Sequence, residues 1–446
     1  MIIEQHYDDE ILIGLLESGD DAARDKHVSS CHTCAGALES LRAVTTGLQE
    51  ATVWDERELP ETPNRQIKNA IRGFAAALSA EDREAESIVR QLLAANSDRS
   101  RAMLQRNPEW RTAGVVRRIL TAVDDVNFTD PKRAVDLTVL ATDIAESLDP
   151  AEYPADTVMK LRATAWRERA YALYYVGSYT ESLAALDRVD ESLTRCLISE
   201  FDGARAQLVR AMVYGDIERL EDAIALARTA GLVFASYGDL RRHAAAEAAE
   251  AAMLMRARRF PEALSVQLRI ASNGMLDDMS RAAATSNAAI CSRELLRLAD
   301  AKVYFAQAVA TFERLGAASM RAKARWNLGR VLLAEQRPSE ARTLLTEVRA
   351  ELNDLGMADD VARISLDIAE ALLLQGRSAD VVDLCQYAMQ TFLQAGLAHT
   401  QSAMTALAYL REAAESGLLT TDGINEVRAF FEVLPKQPQL QFAHSS

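Results

Sequence analysis

Trp326-Asn327-Leu328-Gly329-Arg330-x-Leu332, with Ala341 and Leu345 behind it, reads as a helix, a short turn and a second helix. Its small residue at 341 belongs to a column. Small or apolar residues recur at Ser182, Ala223, Ala263, Ala301, Ala341 and Val381, at intervals of 41, 40, 38, 40 and 40 residues. Glycines suited to closing a helix recur at Gly238, Gly274, Gly316, Gly356 and Gly396, at intervals of 36, 42, 40 and 40. Two columns with nearly one period mark a repeat. A lone helix–turn–helix unit cannot bury its apolar face, so neighbours must stack into a superhelix. Two further units carry the same marks. One holds Trp166, Ala170, Gly177, Tyr179, Ser182 and Leu186, and the other Ala369, Leu372, Gly376, Val381 and Cys385.

Composition agrees with helices nearly throughout. The 446 residues exceed what one compact core accommodates. Ala, Leu, Arg and Glu dominate, and only 19 Gly and 10 Pro punctuate the chain. The expected fold class is all-α, with a small helical bundle followed by an α-solenoid. The formal net charge is −15, and residues 1–60 hold thirteen acids against four bases, a net −9. Nucleic-acid affinity draws on Lys and Arg neutralising phosphates, so direct nucleic-acid binding is not expected, whereas a basic protein partner is. No apolar run approaches the roughly 20 residues that cross a bilayer. The start, Met1 to His6, lacks the basic and apolar regions of a secretory leader, so a cytoplasmic location away from membranes is expected. The sequence holds no glycine-rich phosphate loop, serine-centred elbow or metal-hydrolase spacing, and the protein is expected not to be an enzyme.

The repeat units resemble the tetratricopeptide pattern over roughly residues 130–415. Their period is nearer 40 than the usual 34, as in lengthened bacterial repeats. Such a superhelix presents a concave groove lined by the first helix of each unit. Its candidate lining residues are Arg167, Tyr171, Tyr174, Met212, Met255, Arg293, Trp326 and Arg330. Aromatic and arginine side chains are common anchors, which suits an acidic or aromatic-bearing peptide in the groove. Cys196, Cys291 and Cys385 read as small buried apolar residues, and His243, His399 and His444 as scattered. Residues 420–434 suggest a terminal capping helix, with a frayed tail from Pro435.

One constellation asks for a chemical explanation: His27-x-x-x-Cys31-x-x-Cys34. Positions three and four apart share a helix face, so the imidazole and two thiols converge as tetrahedral zinc requires. Structural zinc takes a fourth ligand. His6 is the first candidate, because a hairpin between Tyr7 and Lys26 returns the chain start toward His27; His32 is the alternative. The competing readings are unrelated surface cysteines and a redox Cys-x-x-Cys, the latter belonging in a βαβ context that is absent here. With so small a core, one zinc ion supplies much of the folding free energy of this segment.

His6, the acidic helix Asp9-Glu10-Ile11-Leu12, and His27-Val28-Ser29-Ser30-Cys31-His32-Thr33-Cys34 together resemble the zinc-binding anti-sigma factor domain over roughly residues 4–50. The resemblance implies one zinc held by His27, Cys31 and Cys34, with His6 where relatives often carry a cysteine. It also implies sequestration of an extracytoplasmic-function sigma factor. The membrane helix that usually follows this domain is missing, which leaves a soluble variant. Two rival expectations accompany this one: an adaptor whose zinc domain is purely structural and whose groove binds a peptide or protein, and a zinc-thiolate redox sensor. The expected organisation is a zinc domain over 1–53, an acidic linker with connecting helices over 54–128, repeats with a capping helix over 129–435, and a flexible tail over 436–446. Within the linker, residues 54–64 read as loop, and Ser79-x-x-Asp82 as a helix N-cap.

Overall fold

A computed structural model describes residues 26–31, 34–36, 38–39, 61–127, 129–149, 151–397, 399–434, 437 and 439–443. The chain divides into two compact units, Met1–Arg90 and Gln91–Ser446. Among the described residues every regular element is helical. The short α1 (Lys26–Ser30) carries His27, and backbone 34–36 and 38–39 is again helical. A long α2 (Glu61–Ala94) follows. This corrects two expectations. The helix starts inside the supposed loop, with Pro63 in the first turn, where its missing N–H costs nothing. It also runs straight through Ser79 and Asp82, so no N-cap stands there.

The second unit opens with α3 (Ser97–Arg106) and then stacks helix pairs. The first helices are α4 (Ala113–Val126), α6 (Ala155–Tyr175), α8 (Glu200–Asp216), α10 (Leu240–Arg256), α12 (Asp278–Glu294), α14 (Ala318–Ala334) and α16 (Ala358–Leu374). Their second helices are α5 (Pro131–Ser147), α7 (Tyr179–Leu193), α9 (Leu220–Ser236), α11 (Phe260–Ser272), α13 (Leu298–Arg314), α15 (Pro338–Asp354) and α17 (Val381–Ala395). Then come α18 (Thr400–Glu415) and α19 (Thr421–Val433). The stacking starts at residue 113, earlier than the period alone suggested.

Small residues set the crossing of each pair. The column Ser182, Ala223, Ala263, Ala301, Ala341 and Val381 is completely buried on the second helices. A matching column, Ala170, Ala211, Ala251, Ala289, Gly329 and Ala369, keeps the same intervals on the first helices. At Gly329 a methyl group would fall 2.8 Å from Leu345 Cγ, so this crossing admits only glycine without repacking. Each second helix then buries one stripe at four- and three-residue spacing, such as Ala301, Phe305, Ala308 and Phe312. A fully buried Phe of this kind contributes roughly 2–3 kcal/mol.

The turns inside the pairs differ from expectation. Every turn but that between α4 and α5 ends its first helix with two bonds, as when the Arg337 N–H reaches Leu332 O and the Gln336 N–H reaches Leu333 O, both at 2.9 Å. This arrangement needs a left-handed residue, a role usually filled by glycine. Gly177 and Gly376 fill it in two turns, but Glu218, Arg258, Leu296 and Gln336 hold φ between +58° and +63° in the others. A non-glycine residue costs about 1 kcal/mol there, which the paired helices on either side offset. Gly274, in the closing column, is not left-handed. An arginine follows the left-handed residue in five turns, and Arg219, Arg259, Arg337 and Arg377 each pair with the acid three residues on.

Successive first helices touch one another, α4 with α6, α6 with α8, α8 with α10, α12 with α14 and α14 with α16. Successive second helices make no comparable contact. The first-helix side is therefore the inner, concave one. No helix among the described residues is long and apolar enough to cross a membrane.

Candidate metal centre and concave face

The metal candidates lie in the first unit. Backbone N–H groups of Cys31 and Ala35 reach His27 O and Cys31 O at 2.8 and 3.0 Å, so the turn carrying the ligands is helical. That winding brings His27 Nε2 to 3.4 Å from Cys34 Sγ. One donor atom from each of His27, Cys31 and Cys34 falls within 4.8 Å of the others. Zinc bonds of about 2.0–2.3 Å in a tetrahedron separate their ligand atoms by roughly 3.3–3.8 Å, so the trio fits zinc with a contraction of about 1 Å. Cys31 and Cys34 are buried, the latter at 1% exposure, and Val28 and Leu38 are buried with them. A donor set of two buried sulfurs and one half-buried imidazole is the chemistry of a structural site. His6 and His32 lie outside the described residues.

Away from this site, burial holds the Cys291 and Cys385 thiols up at about 11 and about 12, as small apolar residues. Cys196 departs from expectation, being only half-buried.

The predicted groove residues separate into two groups. Toward the C-terminal end, Trp326 is at 5% exposure and donates its indole N–H to Asp367 Oδ2 at 2.5 Å. Arg330 lies 4.7 Å over that ring and donates to the same carboxylate at 2.7 Å. Arg293 is spent on Glu294 and on Asn327 Oδ1, the latter at 3.0 Å. These three side chains serve packing between repeats, and Trp326 is a core residue rather than a groove anchor. Sequence reasoning missed Asp367, which stands 41 and 37 residues from its partners.

Toward the other end, Tyr171 and Tyr174 line the first-helix side of α6. Burial and the Tyr175 hydroxyl hold the Tyr171 phenol above its ordinary range, and burial and Asp216 do so for Tyr174. The Tyr171 and Tyr175 hydroxyls share one hydrogen bond of 3.0 Å. Arg167 is buried and bound to Glu168. Arg205 and Arg242 stand beside it around one hollow; both were missed. Their spacing was a usable signal. Arg167, Arg205 and Arg242 are 38 and 37 residues apart, and each sits about one helical turn earlier in its repeat than the last, which traces a diagonal across neighbouring first helices.

No protein-family model matches the sequence, and no curated protein matches it. Solved structures with similar architecture are helical-repeat proteins. The apo form of RapI is 16% identical with a TM-score of 0.46, covering 61% of this chain and 97% of its own. Aspartyl phosphate phosphatase F from Bacillus subtilis is 12% identical with a TM-score of 0.48, covering 83% and 97%. A signal-transduction ATPase with a tetratricopeptide repeat sensor from Pyrococcus horikoshii is 12% identical with a TM-score of 0.49, covering 72% of this chain and 50% of its own. Identities this low carry no activity across.

Proposed function

We propose that the protein is a non-enzymatic, cytoplasmic regulator of protein–protein interactions, built from a zinc-folded N-terminal domain and a repeat platform. In this reading His27, Cys31 and Cys34 hold one zinc ion and His6 completes the tetrahedron. The ion supplies a cross-link that lets a segment with little core keep its shape. Four protein ligands leave no open position on the metal, which suits a structural role. The acidic domain, at net −9 over residues 1–60, then competes for a basic partner, an extracytoplasmic-function sigma factor. The solenoid receives the signal or a second protein. The observation that carries the reading is the convergence of an imidazole and two buried thiols within 4.8 Å.

The test is metal analysis joined to capture from the native host. Wild-type protein is expected to hold one zinc per chain and to enrich an RNA polymerase component. Cys31→Ser/Cys34→Ser is expected to lose both while keeping the helical circular dichroism of the solenoid. Wild type without stoichiometric zinc removes the basis of the reading. Capture that persists in the double variant favours instead an adaptor that recognises its partner through the concave face, a reading supported by the arginines gathered there.

A further inference from the structure

A short connection joins each second helix to the next first helix, and stacking sets these connections side by side along one edge of the solenoid. Four neighbouring connections leave large apolar side chains in water. Leu197 and Ile198 stand before α8 at 93% and 63% exposure, Tyr237 and Leu240 flank the start of α10, and Met275 and Met279 that of α12, Met275 at 75%. Leu315 and Met320 carry the row on to α14. Neighbouring connections touch: the Tyr237 ring packs 5.4 Å from that of Phe201 and its hydroxyl donates to Glu200 Oε2 at 3.3 Å. A single exposed leucine is ordinary, but a row kept over four repeats is not, because monomers seldom leave more than a few hundred Å² of contiguous apolar surface in water. These eight side chains expose roughly 800 Å², the share that each partner covers in a stable interface.

The charges along this edge alternate. From the end of each second helix through the first turn of the next helix, residues 194–203 carry a net −1, 237–243 a net +1, 273–281 a net −1 and 315–321 a net +1. Arg241 is exposed and acts on Asp239 only through its field, with no ion pair among the described residues. Asp277 is exposed as well. Its carboxylate accepts from the Ser280 N–H and hydroxyl, both at 2.8 Å, and no base stands beside it among the described residues. We infer that this edge is the contact between two copies of the chain, laid antiparallel about a two-fold axis between the starts of α10 and α12. That axis sets 237–243 of one copy on 273–281 of the other, and 194–203 on 315–321. Every positive segment then meets a negative one, and the symmetry makes Arg241 meet Asp277 twice. A parallel pairing would set like on like. An axis one repeat further on, between α12 and α14, would leave Leu197 and Ile198 opposite no member of the row. The −15 of each copy opposes association at long range and keeps it modest. The inference goes beyond the proposed function and is independent of both the zinc domain and the concave face.

The experiment is sedimentation velocity on the full-length protein. Wild type is expected to pass from monomer to dimer between about 1 and about 100 μM, with a dissociation constant on the order of 10 μM. Leu197→Asp/Ile198→Asp is expected to raise that constant about tenfold or more while leaving the helical circular dichroism unchanged. Arg241→Glu sets an acid against Asp277 at both symmetry-related contacts, and Asp277→Arg sets a base against Arg241, so each variant alone is expected to associate about tenfold more weakly. Mixed one to one, the two are expected to dimerise as tightly as wild type, because both contacts then join opposite charges. A folding defect cannot produce that recovery. Wild type that stays monomeric at about 100 μM, single variants that dimerise as wild type does, or a mixture no tighter than its components would each overturn the inference.

Discussion

At the C-terminal end of the concave face the chain covers its own inner surface. Helix α19 returns to α16, and Arg428 reaches Asp367 Oδ1 at 2.9 Å and Glu370 Oε2 at 2.7 Å. Asp367, at 1% exposure, also takes Trp326 and Arg330, so two acids answer two arginines and an indole. Near the other end, among the described residues, no such helix returns to α6, α8 and α10, and Arg205 meets Glu168 and Asp202 only at 3.8 and 4.0 Å. The same architecture thus carries a closed end, knit by short charged hydrogen bonds, and an open end where Arg205 makes only longer ion pairs. Burying ions is stabilising only where each finds its counter-ion and hydrogen bonds, so the hydrogen-bonded network of the closed end holds its helices more tightly than the looser pairs of the open end.

The sharpest way to break this contrast is Asp367→Ala. It strands Arg330 and the Trp326 N–H and leaves Arg428 only Glu370, and we expect a loss of about 3 kcal/mol in urea unfolding, with α19 becoming the first site of limited proteolysis. Unchanged stability would show that the closed end is not held by this carboxylate. A smaller effect compares two glycines. Gly329→Ala presses a methyl group onto completely buried Leu345, and about 3 kcal/mol of overpacking less about 1 gained in helix propensity leaves a net loss of about 2. Gly215→Ala, near the open end, meets only the flexible tip of Met253 and should be close to neutral. Equal thermal shifts for the two would erase the packing difference between the ends.

The smallest effect tests Asp239, which caps α10 and holds Arg242 at the hollow. The Arg242 backbone N–H, first, and its guanidinium hold the Asp239 carboxyl below the ordinary carboxylate range. A depressed folded value means that its contribution is present above the unfolded value near 4 and is lost as pH falls through the lower folded one. Asp239→Ala should therefore cost about 1 kcal/mol at pH 7, with the gap to wild type closing below about pH 4. A gap that stays constant with pH would assign the effect to helix propensity instead.

The repeat was legible because close helix crossing demands small residues at a fixed period, and that demand leaves a mark at Ser182, Ala223, Ala263, Ala301 and Ala341 whatever else varies. The left-handed turns were legible only where glycine fills them. Nothing about Glu218, Arg258, Leu296 or Gln336 announces a positive φ, because flanking helices impose it. The tail was misread for a similar reason: Phe442, expected to be frayed, places its ring 5.2 and 5.4 Å from those of Phe430 and Tyr409, an ordering that comes from distant partners. His27, Cys31 and Cys34 were legible because one helical turn suffices to bring them together, while the fourth ligand depends on chain folding across some twenty residues.

By itself the sequence determined what local periodicity controls: helices, their pairing, the small-residue seams and a three-ligand metal motif whose members share a helical turn. Only the tertiary structure decided which acid each arginine of the inner face meets, and how closely. Trp326 and Arg330 meet Asp367 across two repeats, and Arg205 stands a repeat away from either neighbour. Charge balance at a point in space depends on residues about forty positions apart, and no local pattern encodes that sum.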